Sequence, residues 1–330
     1  MKKLIFNLII FSIPLIITVI SLDLYLKNKN TLYKEKLKAI EQNKDNVEIL
    51  ILGNSHAAFA VDPQYFDYNA YNLASVSQSI YFDRRLTEKY LHKLNQLKFV
   101  FISIDYHSLN FSSQGIRDYW SYYAHGIKYK KKSYFKEEIS PFLFSYKTKV
   151  TMSILRDDLK NMISNKQPII FMIKKGVCST DSIYNGFIGF TGTDEIMFNQ
   201  NTFKRKATSF NNGFKNTSER KFVINDLRTF IENLKEQNVT PILFSSPTYS
   251  DYNTFLNKKN IKKNEIVINE ICSDYNIEYW DYSNNPSFEK EYFYNQDHMN
   301  KNGAEKFSII LNKRIKDYEK ARTHNTVYKK

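Results

Sequence analysis

Residues 49–63, ILILGNSHAAFAVDP, set an aliphatic run against a glycine and then turn polar through Asn54, Ser55 and His56. A short unbroken apolar run bounded by a turn residue reads as a strand buried on both faces, the kind a parallel sheet requires. Gly53 permits a tight, strained exit from that strand. The polar residues after it read in two ways. Asn54 and Ser55 suit a helix cap, and the same turn presents a serine at the edge of a sheet.

Outward from this stretch the chain alternates. Residues 47–52 (VEILIL), 70–74, 98–105 (KFVFISID), 240–247 (TPILFSSP) and 277–283 read as strands. Between them, residues 79–97, 221–239 and 254–275 place apolar side chains at helical spacing, and a last helix begins after HMNKNG and runs to about residue 318. This rhythm predicts an α/β fold, a doubly wound parallel sheet in three flavodoxin-like layers. In such sheets ligands sit beyond the carboxyl ends of the strands, where Ser55 falls. Residues 110–220 break the rhythm and read as an insertion, a lid or a substrate platform. Its aromatic cluster RDYWSYYAHGIKY fits either a local core or a sugar-stacking surface, and YNGFIGFTGTD supplies Gly-rich turns.

The ends of the chain differ from its middle. Residues 4–22 are apolar with few interruptions, and roughly 20 such residues cross a bilayer. No small-residue cleavage site comes after them, so residues 1–26 are expected to be an uncleaved, single-pass signal anchor. Residues 27–46 read as a polar stalk, 47–320 as the α/β domain with its insertion at about 110–220, and 321–330 as a basic, frayed tail. The lysines after the span would, on a positive-inside count, keep the domain in the cytoplasm.

The 330 residues suffice for a substantial core, and the formal net charge is +14. The charge is spread over a Lys- and Asn-rich chain. No zinc-ligand set, Arg-rich arm or RNA-binding aromatic motif accompanies it, so no nucleic-acid partner is expected. A basic surface suits anionic lipid or acidic polysaccharide. The two cysteines, Cys178 and Cys272, make neither a disulfide framework nor a metal site.

A serine is a weak nucleophile without a base within hydrogen-bond reach. The candidate base is His298, in a loop before the last helix. At these residues the chain resembles the SGNH/GDSL hydrolase superfamily. ILGNSH resembles its first block, and FYNQDHMNKNGAEKFS resembles its last, which usually reads Asp-x-x-His-Leu-Asn-x-x-Gly-Ala. YNLASVSQS is similar to the second block with Ser77 at the oxyanion glycine. FISIDYHSL stands at the third, with His107 near the usual Asn and Asp105 near the Gly.

The resemblance implies a Ser55–His298 dyad. Asn295 stands where the family has its catalytic Asp, so Asn295 or Asp297 is left to orient the imidazole. Ser77 and His107 would then serve the oxyanion, with Gly53, Asn54 and His56 in support. It further implies a membrane-anchored bacterial type, with relatives among polysaccharide O-acetyltransferases and teichoic-acid D-alanyl transfer proteins. That type has its domain outside the cytoplasmic membrane, a glycan substrate, a possible membrane protein as acyl donor, and no metal or organic cofactor. A non-catalytic polysaccharide-binding or assembly component, and a basic binder of anionic surfaces, are the alternative readings.

Overall fold

The structure, a computed structural model, describes residues 2–28, 31–112, 127, 148–163 and 184–327. The chain divides into two compact units, Met1–Leu37 with Gly115–Ile173, and Lys38–Gln114 with Lys174–Lys330. Cys178 and all of the aromatic cluster at 117–129 except Ile127 lie outside the described residues.

The first unit holds helix α1 (Lys2–Asn28), whose stretch Lys2–Leu26 reaches a mean hydropathy of 2.5 in a window that is not buried. It is apolar on all sides, long enough to cross a membrane and without the polar face of a surface helix. Helix α2 (Leu32–Asn43), whose residues to Leu37 belong to the first unit and from Lys38 to the second, occupies the stretch expected to be a polar stalk. It is no bare spacer: Leu32, Tyr33, Ile40 and even Lys36 are buried. Helix α5 (Thr148–Ile163) also belongs to the first unit, and the Tyr25 hydroxyl of α1 donates to Asp158 on it at 3.0 Å.

The second unit is built on a five-stranded parallel sheet ordered β2-β1-β3-β4-β5, with β1 Ile49–Leu52, β2 Ala70–Asn72, β3 Phe99–Ser103, β4 Thr240–Ser245 and β5 Tyr279–Asp281. The doubly wound α/β expectation therefore holds at the level of the sheet, with strands shorter at their ends than the apolar runs suggest. In the register Ile51 lies opposite Asn72 and Phe101, and Phe101 opposite Ile242. Every residue of β1 and β3 is buried, as continuous apolar runs require when helices cover both faces.

Side chains alternate across the strands. Ile49, Ile51, Phe99, Phe101, Ile242 and Phe244 point to one face, packed on α3 (Ser55–Ala60) and α10 (Lys301–Val327). The opposite face is covered by α4 (Ile80–Tyr90), α7 (Thr217–Glu236) and α9 (Lys258–Tyr275).

Two helix boundaries differ from the sequence expectation. Helix α7 starts at Thr217 because Asn216 caps it: its side chain accepts from the Glu219 N–H and donates to the Glu219 carboxylate. Helix α10 runs to Val327 through the residues expected to fray: Lys320, Ala321 and Arg322 are good helix formers, and no Gly or Pro follows to stop it. The β3-to-β4 connection also carries α6 (Gln200–Gly213). Helix α8 (Ser250–Asn253) comes after β4, and the short hairpin β6 (Phe293–Asn295) and β7 (His298–Met299) precedes α10.

Candidate active site

Gly53 leaves β1 with φ +133°, a conformation side chains rarely adopt, and a Cβ there would lie 2.4 Å from Ser103 Cβ. Its N–H donates to buried Asp83. Asn54 then caps α3: its side-chain oxygen accepts from the His56 N–H at 2.8 Å, and its amide donates to Asp105 and Ser108. Ser55 is thereby the first residue of α3, at the carboxyl end of the first strand, and its N–H has no acceptor within the helix. Both readings of the turn are realised, with Asn54 as the cap and Ser55 turned to the site.

His298 arrives from the other end of the chain. The β6–β7 turn holds Gln296 and Asp297, and the Gln296 carbonyl accepts from the Tyr249 N–H. Segment 187–194 braces the hairpin. Thr193 donates to the Phe293 carbonyl, the Asp194 N–H donates to the Tyr294 carbonyl, and Phe190 stacks on Tyr294 at 3.9 Å. Gly303, at the start of α10, passes so close to Tyr292 that a Cβ would lie 2.2 Å from its carbonyl oxygen. The His298 ring sits edge-on to Phe59 and His56.

Ser55 Oγ lies 2.8 Å from His298 Nε2, and His298 Nδ1 lies 3.1 Å from Asn295 Oδ1. The protonation pattern is set by the donors. Asn295 Oδ1 accepts from the backbone N–H groups of Asp297 and His298, at 3.2 and 3.0 Å, so an oxygen must occupy that corner. Nδ1 facing that oxygen is a donor. Nε2 then carries the lone pair and accepts the Ser55 hydroxyl, the tautomer a general base needs. Of the two residues left open as orienting groups, Asn295 makes the hydrogen bond. Asp297 Oδ1 stands 3.6 Å from Nδ1.

Asp297 is buried among cations. Its Oδ2 lies 3.4 Å from His56 Nε2 and 3.1 Å from Lys206 Nζ, and neither carboxylate oxygen has a partner in hydrogen-bond geometry among the described residues. Burial resists its charge, but His298, Lys206 and His56 together hold the carboxyl well below its ordinary range. His56 is buried too, and its Nδ1 lies 3.3 Å from Asp105 Oδ1. Burial opposes protonation of His56, yet Asp105 and Asp297 outweigh it and lift the ring to about 9. Asp105, fixed also by the Ser103 hydroxyl at 2.7 Å, falls to about 2 against its own burial, chiefly through the His56 charge.

Ser77 and His107 line the same cavity as Ser55, about 330 Å³, together with His56, Lys206 and Phe210. Ser77 has φ +59°, the left-handed backbone that a glycine adopts freely. The His107 ring lies flat on Phe210 at 4.0 Å. Burial and the neighbouring His56 charge lower it to about 3, so the ring is neutral and retains one N–H to donate. A larger cavity of about 530 Å³ shares His56, His107 and Phe210 with the first and opens towards Ser246 and Tyr252.

Among the described residues, His56, Asp297 and His298 bring ligand-type atoms within 4.8 Å of one another. The set fits a metal poorly. A metal needs a neutral imidazole, whereas His56 is held protonated between two carboxylates, and the Lys206 ammonium already faces Asp297.

Comparison of the chain with protein-family models and with curated proteins finds no match. The geometry of the site itself carries the functional reading. Gly53, Asn54, Ser55, Ser77, His107, Asn295, Asp297 and His298 are all candidates on sequence grounds, and the fold gathers them at one sheet edge. Two members of the site escape sequence reasoning. Lys206 sits within a polar helix with no local signal, and Asp83 looks like an ordinary helical carboxylate.

Proposed function

We propose that this chain is a membrane-anchored serine esterase or O-acyltransferase of the SGNH type, acting on a cell-envelope or exported polysaccharide. The observation that carries the reading is the Ser55–His298 contact of 2.8 Å with Nδ1 held by Asn295. His298 Nε2 takes the Ser55 proton as Oγ attacks an ester carbonyl. The tetrahedral intermediate collapses, the alcohol leaves with the proton from His298, and the acyl group stays on Ser55. A sugar hydroxyl or water, deprotonated by His298, then takes it. The Ser55 N–H, at the start of a helix, suits the developing oxyanion, with Ser77 and the neutral His107 beside it. The chemistry asks for no metal or organic cofactor.

The glycan substrate and an extracytoplasmic placement of the domain on the cytoplasmic membrane rest on the family resemblance. Helix α1 supports membrane attachment. If transfer is the reaction, a membrane partner supplies the acyl group, and the larger cavity gives space for an acceptor.

The test is intact mass of the full chain in detergent after exposure to a fluorophosphonate. One adduct on Ser55, absent in Ser55→Ala and strongly reduced in His298→Ala, is expected. Folded protein without an adduct would sink the reading and leave a glycan-binding or assembly component.

A further inference from the structure

The candidate dyad rests on a buried charge cluster with an unusual division of labour. His56 presents Nδ1 to Asp105 Oδ1 at 3.3 Å and Nε2 to Asp297 Oδ2 at 3.4 Å. Lys206 Nζ reaches the same Oδ2 at 3.1 Å. The other oxygen, Oδ1, is the one turned to His298 Nδ1, at 3.6 Å. Two carboxylates, Asp105 and Asp297, thus face two cations, His56 and Lys206. Among the described residues, the groups facing His298 come from several elements. His56 and Ser55 come from α3, Asn295 and Asp297 from the β6–β7 hairpin, and Lys206 from α6 behind Asp297. Asp105 and neutral His107 lie behind His56, and Phe59 and Phe190 are apolar walls.

We propose that His56 and Asp297 are positioning residues that set the basicity of His298: Asn295 orients the ring by hydrogen bond, Asp297 supplies the charge, and His56 holds that charge in check. The inference rests on the reading of His298 as a general base. A buried carboxylate beside a histidine raises the basicity of the ring, and without compensating cations it narrows the pH range in which the ring is neutral and can accept the Ser55 proton. With His56 and Lys206 charged, the cluster is balanced while His298 is neutral. When His298 receives the Ser55 proton, Oδ1 of Asp297 already stands beside the new imidazolium. A single aspartate performs both tasks in a Ser-His-Asp triad. Here they are split between two residues of one turn.

The experiment is an NMR titration of the histidine rings, isotope-labelled, in the full chain in detergent, with His298→Ala for assignment. In the unmodified protein His56 stays protonated through pH 8. His56→Gln and Lys206→Gln each remove one compensating cation and raise the His298 midpoint, and Asp297→Asn lowers it, each by about one pKa unit. Fluorophosphonate labelling rates are measured against pH in parallel, and their acid limb moves with the His298 midpoint. Loss of labelling with intact ring shifts would defeat the general-base reading and leave the charge coupling standing. A His298 midpoint unmoved in all folded variants, or a His56 that titrates at its ordinary value, would overturn the proposal. Should His56→Gln fail to fold, Lys206→Gln, on a partly exposed side chain, and Asp297→Asn decide the matter.

Discussion

Asn295 is the residue on which the candidate chemistry turns. Its oxygen serves three donors: the His298 ring and the N–H groups of Asp297 and His298. Asn295→Ala removes all three acceptor contacts at once, so the fluorophosphonate labelling rate of Ser55 is expected to fall on the order of 10²-fold, the scale of a general base that is out of position. Asn295→Asp keeps the geometry and adds a third carboxylate to a balanced cluster. It is expected to shift the acid limb of labelling to higher pH, read as rate against pH. His56 makes a second prediction, on stability. Its folded value of about 9 lies above the ordinary 6.5, so the stabilisation is fully present below pH 6.5 and is lost as pH rises through about 9. The melting temperature should fall across that window, and His56→Gln should abolish that part of the fall.

At the scale of elements, the sheet edge depends on one close approach and on one packed helix. Gly53→Ala forces a left-handed turn on a side chain that also meets Ser103, so it should destabilise the protein by about 1–3 kcal/mol from backbone strain alone, measured by denaturant unfolding. Helix α10 secures the other end through Ala304, Phe307, Leu311 and Ile315, all fully buried, the last three within the cluster on the α3 side of the sheet. Phe307→Ala should cost about 3–5 kcal/mol in the same measurement.

These elements also mark what a sequence can reveal. The strand–Gly–Asn–Ser turn and the His298 turn are legible because their signals are local: an apolar run, a glycine, a cap. Lys206 is not, because nothing near it in the chain distinguishes an ammonium facing a buried carboxylate from one facing water. The His56–Asp105 pair likewise arises only when β1 and β3 lie side by side. Helix α2 reads as a spacer because Lys36 is a poor core residue by composition, yet its side chain is enclosed.

For the whole molecule, the apolar helix at the start is the feature with the largest consequence for handling. With α1 present the chain should stay in the membrane pellet through alkaline carbonate washing and enter solution with detergent. Removal of residues 2–28 should transfer it to the supernatant, and an intact chain released by carbonate alone would argue against a spanning helix.

The separation of 243 positions between Ser55 and His298 reaches further than the fold. The candidate nucleophile is synthesised with the first strand and the candidate base only with the β6–β7 hairpin. On the proposed reading, a growing chain, or one cut short before that hairpin, carries Ser55 without its base and forms no acyl-enzyme, so a fluorophosphonate should leave it unlabelled.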